Sequence, residues 1–297
     1  MKVLVTGSSG QLGSYLCELL MRKHEVVGMD VRIQPYAVLK QLSIMGDIRE
    51  PRDVRGALRG VDAVVHCAAQ VSVEKSTEDP LTDASVNVLG TVNMVHESAR
   101  AGVGKFVYVS SAAIFGRPKY LPIDEAHPTH PMSNYGVSKL AGEKYALAYA
   151  DMSRMSVISV RPFNFYSIRA DPLSPYSGVI TKFMARLKQG LPPVIEGDGR
   201  QTRDFVHARD VAEMISLVLE KGGISGEEFN CGSGLPTSVL DLATKSIHAS
   251  GHELRPEYAS ARIGDIRDSL CDTRKSANEL GFKARIPLEK GLAELLS

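Results

Sequence analysis

The sequence contains no tryptophan and only four cysteines among its 297 residues. The cysteines lie 40 to 164 residues apart and form no CxxC pair: Cys17, Cys67, Cys231 and Cys271. This spacing argues against a zinc ribbon and against a disulfide framework. Isolated cysteines suit a reducing compartment, so we expect a cytoplasmic protein.

An excess of charge of one sign is also missing, because 35 lysines and arginines balance 34 aspartates and glutamates. We therefore expect no nucleic-acid partner. No apolar run reaches the roughly 18 residues of a membrane span, and the N-terminus lacks a signal-peptide pattern, so we expect no membrane partner. The remaining composition, 43% hydrophobic and 23% charged, is typical of a globular protein of enzyme size.

Short apolar segments alternate with helical patterns over the first 165 residues. The predicted strands are 2–6, 25–29, 63–66, 105–109 and 157–160, and the predicted helices are 11–23, 51–59, 85–101 and 134–150. Continuous apolar strands connected through helices are typical of a parallel sheet covered on both faces. With right-handed crossovers, the pattern predicts an α/β, Rossmann-type doubly wound fold.

The alternation becomes irregular after residue 165. Residues 166–205 are rich in proline, glycine and serine, with one helix expected at 179–188. Further helices are expected at 210–221 and 237–247, with Thr237 as the N-cap of the second. We predict a cofactor-binding domain over 1–165, rejoined by about 206–249, and a smaller C-terminal substrate-binding lobe mostly within 166–297.

A glycine-rich segment connects the first predicted strand to the first predicted helix. Gly7, Gly10 and Gly13 give it the spacing GxxGxxG, with Gln11 and Leu12 between the last two. Glycines so placed permit a tight turn, let backbone N–H groups approach a pyrophosphate and let the helix pack against the strand. The context of a preceding strand and a following helix indicates a dinucleotide site, with an ordinary turn as the alternative.

Asp30 ends the second predicted strand, 17 residues after Gly13. A carboxylate at this position can bind both hydroxyls of the adenosine ribose and repel a 2′-phosphate, which favours NAD over NADP. The neighbouring Arg32 leaves NADP open, and a loop aspartate without a ligand is the structural alternative.

Residues after the next strands extend the predicted cofactor site. Asp47 and Ile48 are candidates for contacting adenine, although a turn before a helix explains them equally well. Ala68 belongs to a segment of small residues whose backbone could lie against the cofactor. We interpret His66 as a packed histidine at a strand end, because no second ligand lies at a suitable spacing for a metal.

A candidate catalytic group combines a serine at a strand end with a tyrosine and a lysine on a helix. Tyr135 and Lys139 are four residues apart and share a helical face, and Ser111 follows the strand 105–109. Tyrosine has a pKa near 10, and a nearby ammonium favours the phenolate needed in a general base. A lone YxxxK is common on surface helices, so the prediction depends on the cofactor motif upstream.

Nine segments together resemble the extended short-chain dehydrogenase/reductase family, within it the nucleotide-sugar epimerase branch that includes UDP-glucose 4-epimerase. They are TGSSGQLG, HCAAQVSV, NVLGTVN, YVSSAAIFG, YGVSK, RPFN, SPYSGVI, GDGRQTRDFVHARDVA and FNCGSG. The resemblance covers nearly the whole chain. It implies NAD as cofactor, a UDP-sugar as substrate, and a homodimer formed through helices 85–101 and 134–151.

The resemblance also implies roles for individual residues. Tyr135 is the implied catalytic base, Lys139 its partner and Ser111 the hydroxyl that orients the substrate. The implied substrate-binding residues serve the phosphates, the uridine ribose or the sugar: Asn164, Arg203, Arg262, Asp265 and Ser269. At the last position a bulky tyrosine would exclude an N-acetyl group and a small residue would admit it, unless Leu270 or the loop at 166–169 closes the space.

Departures from the family pattern narrow the expected reaction. Related 4,6-dehydratases carry an Asp-Glu pair just after the catalytic serine or threonine, whereas this chain has Ala112 and Ala113, which transfer no protons. We therefore expect an epimerase that inverts C4 of UDP-glucose or UDP-galactose, or of their N-acetyl forms. The alternatives are a UDP-glucuronate 4-epimerase, a net dehydrogenase or reductase, and a non-catalytic cofactor-binding regulator.

Overall fold

The computed structural model describes residues 1–170, 178–261 and 264–296. Its strands, in chain order, are β1 (Lys2–Thr6), β2 (Glu25–Asp30), β3 (Ser43–Met45), β4 (Ala63–His66), β5 (Lys105–Val109), β6 (Ser156–Pro162), β7 (Asn164–Tyr166), β8 (Val194–Glu196), β9 (Thr202–His207), β10 (Glu227–Cys231), β11 (Pro236–Ser238) and β12 (Glu257–Ala259).

The helices surround these strands. In chain order they are α1 (Gln11–Leu20), α2 (Pro51–Ala57), α3 (Val73–Glu78), α4 (Pro80–Ala84), α5 (Thr91–Arg100), α6 (Asn134–Met152), α7 (Val179–Leu187), α8 (Ala208–Glu220), α9 (Val239–Ser250), α10 (Arg274–Leu280) and α11 (Leu288–Leu296). A π-helical segment, Ser85–Gly90, connects α4 to α5. None of the helices in the described ranges combines the length and the apolar character required for a membrane span.

A seven-stranded sheet occupies the centre of the described residues, in the order β10-β6-β5-β4-β1-β2-β3. Every neighbouring pair in it is parallel. Val3, Leu4 and Val5 of β1 are all 0% exposed, because helices cover both faces of the sheet. A strand buried on both faces requires a continuous apolar run, so the sequence pattern correctly predicted the α/β doubly wound fold.

Two layers of helices cover the sheet. One hydrophobic cluster joins it to α1 and α8, and the other joins it to α2, α5 and α6. The sequence reason is periodic: Leu12, Leu16 and Leu20 recur along one face of α1 and are all buried. This arrangement fixes the N-terminus of α1 and the first turns of α6 at the carboxyl edge of the sheet, where α/β proteins bind ligands.

A smaller body of structure follows β6. Strands β7, β9 and β11 form a three-stranded sheet, and β8 pairs with β12. A separate hydrophobic cluster there contains residues of α7, α9 and α11, with Phe205 of β9. The chain returns to the central sheet at β10, which pairs with β6. The division into a cofactor-binding domain and a substrate-binding lobe stays a prediction.

Two local predictions need correction. Thr237 is not the N-cap of α9 but lies in β11, and Ser238 caps the helix by accepting a hydrogen bond from the backbone nitrogen of Asp241 at 3.0 Å. The helix expected over 85–101 is π-helical over Ser85–Gly90 and α-helical only from Thr91. Periodicity does not resolve these details, because a hydroxyl one residue further on caps equally well and a π-turn occurs as a single turn within an otherwise α-helical segment.

Candidate active site

The turn between β1 and α1 can be built only with glycine at two of its positions. Gly7 has φ +69°, and a Cβ there would lie 2.8 Å from the backbone nitrogen of Ala68. A Cβ on Gly13 would lie 2.1 Å from the carbonyl oxygen of Gly7. The backbone nitrogen of Gly10 donates to that same carbonyl at 3.0 Å. The segment is therefore a tight, closely packed turn that opens a helix.

This turn has the groups that a dinucleotide phosphate requires. The first turn of α1 presents backbone N–H groups that the helix itself leaves unpaired. The side-chain nitrogen Nε2 of Gln11 is buried there without a hydrogen-bond partner, and so is the hydroxyl of Ser8. Leu12, in contrast, directs its side chain into the core, where it is 5% exposed, and offers a ligand only its backbone.

Asp30 is a buried carboxylate at the end of β2, 7% exposed. Its two oxygens accept hydrogen bonds of 2.9 Å from the backbone nitrogens of Ser9 and Arg32. The guanidinium of Arg32, largely exposed, lies 3.6 Å from the same carboxylate. The chain thus fixes the orientation of Asp30 beside the glycine turn, as required of a group that receives ribose hydroxyls.

The two residues predicted to contact adenine, Asp47 and Ile48, differ in whether their side chains are accessible to a ligand. Asp47 is held by Arg49 through bonds of 3.0 Å to Nε and 2.5 Å to Nη2, which lower the pKa of its carboxyl. The side chain of Ile48 is buried in the core, and its carbonyl oxygen accepts a 2.7 Å bond from Asn93. A ligand could therefore reach the partly exposed side chain of Asp47 but not the buried side chain of Ile48.

The three candidate catalytic residues lie at the carboxyl end of β5. Ser111 follows this strand, and its hydroxyl accepts a 3.2 Å bond from the backbone nitrogen of Ala113. Tyr135 lies in the first turn of α6, where its backbone nitrogen donates to the Ser76 hydroxyl at 3.0 Å. Lys139 follows one turn later and is 3% exposed. Helix α6 packs on the 3₁₀ turn after Ser111 and thereby brings these residues together.

Burial controls the ionisation of the tyrosine and the lysine. It raises the pKa of Tyr135, against a hydrogen bond with the Ser111 side chain that lowers it, and the carboxylate of Asp83 raises it further. Burial lowers the pKa of Lys139 to about 8, although Cys67, Glu143 and Asp83 act in the opposite direction. The Lys139 ammonium donates to the carbonyl of Val109 at 2.7 Å. In the chain alone, burial is therefore the largest influence on the pKa of Tyr135.

The candidate substrate-binding residues are more exposed. Asn164 is exposed at the start of β7, and Asp265 is exposed in the segment after β12. Arg203 of β9 donates through Nη2 to Asp265 Oδ1 at 2.6 Å. Ser269 is 9% exposed, and its backbone nitrogen donates to the carbonyl of Thr202, the residue before Arg203, at 3.2 Å. Arg203, Asp265 and Ser269 thus belong to one neighbourhood, and Arg262 lies outside the described residues.

Sequence reasoning missed a buried aspartate beside this neighbourhood. Asp204 is 0% exposed and accepts hydrogen bonds from Ser233, Gly234 and Cys271, at 2.7 to 3.2 Å. It ties β9 to the loop after β10 and to the segment carrying Ser269. Its position inside the segment GDGRQTRDFVHARDVA was visible, but partners up to 67 residues away along the chain were not.

A second missed group lies beneath α6. Asn87 is 1% exposed, and its side-chain nitrogen donates to Gln70, Asp83 and Ser138 at 2.9 to 3.1 Å. The signal for it was a polar residue in the segment NVLGTVN, on a helix otherwise expected to pack on the sheet. In the described ranges, no group of three or more His, Cys, Asp or Glu residues is arranged to hold a metal.

The residues around the glycine turn fit a dinucleotide, given the unpaired Gln11 amide, the close approach at Gly7 and the oriented carboxylate of Asp30. A sequence model of the NAD dependent epimerase/dehydratase family matches residues 3–232. The chain belongs to this family. Its cofactor is NAD, as the sequence predicts, and the resemblance stated from the motifs is confirmed.

Individual relatives agree with this assignment. A UDP-glucose 4-epimerase of Mycolicibacterium smegmatis is 35% identical, over 99% of this chain and 97% of its own length. A dTDP-D-glucose 4,6-dehydratase of Mus musculus is 31% identical, over 98% and 86%. The structure of a UDP-glucose 4-epimerase of Thermotoga maritima, with UDP-glucose, has a TM-score of 0.93 at 31% identity, covering 100% of this chain and 97% of that one. The chain is an enzyme that resembles UDP-glucose 4-epimerase.

Proposed function

We propose that this enzyme inverts the configuration at C4 of a UDP-sugar through a 4-keto intermediate. The observation that carries the proposal is the convergence of Ser111, Tyr135 and Lys139 at the carboxyl end of β5, with only Ala112 and Ala113 following the serine. A hydroxyl, a phenol and an ammonium suffice to move one proton and to orient one alcohol. The alanines provide no second acid–base pair for eliminating water.

In the proposed mechanism, Tyr135 removes the proton from the sugar 4-hydroxyl while the hydroxyl of Ser111 orients that oxygen. NAD, which the glycine turn and Asp30 would hold, would supply a reversible acceptor for the hydride at C4. Tyr135 then gives its proton back to the C4 oxygen. Burial lowers the pKa of Lys139 to about 8, which is still above neutral pH, so its ammonium is present and can stabilise the phenolate form of Tyr135.

The nucleotide is proposed to bind at the exposed end of the site. Arg203 would contact the pyrophosphate and Asp265 the uridine ribose, with Asn164 and Arg262 as further polar contacts. A guanidinium presents paired donors suited to phosphate oxygens. In the structure Arg203 is paired with Asp265 instead. Binding of the diphosphate would therefore exchange a carboxylate partner for a phosphate partner, and the nucleotide would retain the complex while the keto sugar turns over.

Ser269 is the proposed determinant for substituents at C2 of the sugar. Its side chain is small and its backbone is fixed beside Arg203 by the bond to Thr202. The serine leaves space that a tyrosine would fill, so the pocket should accept an acetamido group. The experiment compares turnover of UDP-galactose, UDP-N-acetylgalactosamine and UDP-glucuronate by wild type, Ser269→Tyr and the exposed control Ser225→Tyr.

We expect wild type to epimerise both galactose forms, and Ser269→Tyr to lose the N-acetylated substrate by about tenfold or more relative to UDP-galactose. The control should retain the wild-type ratio. Equal treatment of both sugars by Ser269→Tyr would show that the C2 side of the pocket is closed by other residues. Turnover of UDP-glucuronate alone would instead identify the chain as a uronate epimerase.

We further infer a homodimer and a cytoplasmic location. Large apolar side chains are exposed on α4, on the π-helical segment and on α6: Leu81 at 82%, Leu89 at 65%, Tyr145 at 52% and Met152 at 73%. Apolar surface clustered on adjacent helices favours association with a second copy. The four cysteines are free, which suits a reducing compartment.

A further inference from the structure

A buried histidine lies between the cofactor turn and the start of α5. His66, at the end of β4, is 1% exposed. Its Nδ1 lies 2.7 Å from the hydroxyl oxygen of Thr6, and its Nε2 lies 3.1 Å from that of Thr91. The Thr6 hydroxyl also accepts a 3.2 Å bond from the backbone nitrogen of Ala68. Ala68 is the residue that contacts Gly7 in the cofactor turn.

The hydrogen bonds continue from Thr91 to α6, the helix that carries Tyr135 and Lys139. The Thr91 hydroxyl donates to the carbonyl oxygen of Asn87 at 2.8 Å. The side-chain nitrogen of Asn87 donates to the Ser138 hydroxyl at 3.0 Å, and that hydroxyl donates to the carbonyl oxygen of Tyr135 at 3.0 Å. A series of buried contacts therefore leads from Ala68 to the backbone of Tyr135.

The number of available protons determines the direction of each bond. A threonine hydroxyl has one proton. Because Thr91 gives its proton to Asn87, it must accept from Nε2–H of His66. Burial lowers the pKa of His66 to about 3, so the ring is neutral and carries one proton. Nδ1 is then the acceptor, and Thr6 donates to it. This proton count favours the Nε2–H tautomer.

At the other end of this series of hydrogen bonds, the orientation of the Asn87 side-chain amide is also constrained. Its side-chain oxygen accepts a 2.8 Å bond from the backbone nitrogen of Gln70, and its nitrogen also donates to the Gln70 carbonyl and the Asp83 carboxylate. The Gln70 backbone N–H can bond only an acceptor and therefore places the amide oxygen, and the two amide protons are shared among the three neighbouring oxygens. Asn87 lies in the π-helical segment, a feature frequent at functional sites.

We propose that His66 is a positioning residue that couples the cofactor turn to Tyr135 through Thr91 and Asn87. The inference rests on the proposed role of Tyr135 as base. His66 is bonded to two threonines and acts through them, holding the end of β1 and the start of α5 at a fixed separation. Losing the bond at Thr91 would release the Tyr135 end, and losing the bond at Thr6 would release the cofactor end.

Isosteric variants test the His66 bonds to Thr91 and to Thr6 separately. Thr91→Val should lower kcat about tenfold with the Kd for NAD within twofold of wild type, because it loosens the position of Tyr135 and leaves the cofactor turn intact. Thr6→Val should weaken NAD binding by a few-fold. The matched control is Thr244→Val in α9, whose hydroxyl makes the same bond to a carbonyl four residues earlier, at 3.0 Å.

Two further measurements distinguish positioning from simple support of the fold. In a His66→Gln background, Thr91→Val should cause less than a twofold further loss of kcat, because the two residues act in one series. Nitrogen NMR of His66 should show the Nε2–H tautomer in wild type and its loss in Thr91→Val, with or without activity.

Wild-type kcat in Thr91→Val, multiplicative losses in the double variant, or the Nδ1–H tautomer in wild type would each overturn the inference. A lower melting temperature in Thr91→Val with unchanged kcat would also overturn it. An inactive wild type that shows the expected tautomer would contradict the proposed function and leave the coupling to be judged by NMR and NAD binding.

Discussion

The cofactor end and the substrate end of the site are organised in opposite ways. At the cofactor end, Asp30 and Lys139 are buried and already held by backbone groups, at 2.7 to 2.9 Å. At the substrate end, Asn164 and Asp265 are exposed, and Arg203 is bound to a carboxylate of the chain itself. On the proposed assignment, the first end is preorganised for its ligand, whereas the second would exchange partners on binding. Preorganisation lowers the free-energy cost of binding, so the two ends should respond differently to mutation.

The largest effect is expected at the preorganised end. Tyr135→Phe keeps the ring and removes the proton acceptor, so kcat should fall about 10²- to 10⁴-fold. NAD affinity and thermal stability should remain near wild type, because the backbone contacts of Tyr135 are unchanged. Steady-state kinetics and NAD titration measure both quantities. A variant with more than half of wild-type turnover would remove Tyr135 from the role of base.

An intermediate effect is expected at the substrate end. Arg203→Gln removes a charge-assisted contact worth about 1.5–3 kcal/mol, so KM for the UDP-sugar should rise about 10- to 100-fold with kcat nearly unchanged. Arg200→Gln, at an exposed arginine three residues earlier, is the matched control and should leave KM unchanged. Equal KM changes in the two variants would show that general charge, rather than a phosphate contact, explains the effect.

The smallest effect concerns the choice of cofactor. Asp30→Ala should weaken NAD binding about tenfold and bring NAD and NADP affinities closer, because one acceptor for the ribose hydroxyls and one repulsive charge are lost. Asp30→Asn retains an acceptor for Ser9 or Arg32 and should weaken NAD binding less. Titration of cofactor-free protein with both dinucleotides checks this. If wild type binds NADP as tightly as NAD, Arg32 outweighs Asp30.

The sequence was most informative where local stereochemistry leaves few options. The apolar run of β1 allows only a strand covered on both faces, and the turn at Gly7 and Gly13 excludes any side chain. The fold, the family and the cofactor therefore followed from residues close together in the chain. The proposed roles of individual residues at both ends stay predictions.

Contacts between distant residues could not be predicted in this way. Arg203 and Asp265 are 62 residues apart, and no local pattern indicates that they pair in the absence of a nucleotide. The same limit hid the four bonds of Asp204 and the threonines around His66, although the histidine itself was correctly interpreted as packed. The raised pKa of Tyr135 also depends on tertiary burial, which an i, i+4 spacing does not reveal.

The most direct test of the account follows an isotope at the reacting carbon. UDP-galactose with deuterium at C4 is incubated with the enzyme and NAD in ordinary water, and the products are examined by NMR and mass spectrometry. We predict UDP-glucose that retains deuterium at C4, because the hydride leaves and returns to one carbon while Tyr135 exchanges only hydroxyl protons. A product that has lost water, or UDP-glucose with protium at C4, would contradict it.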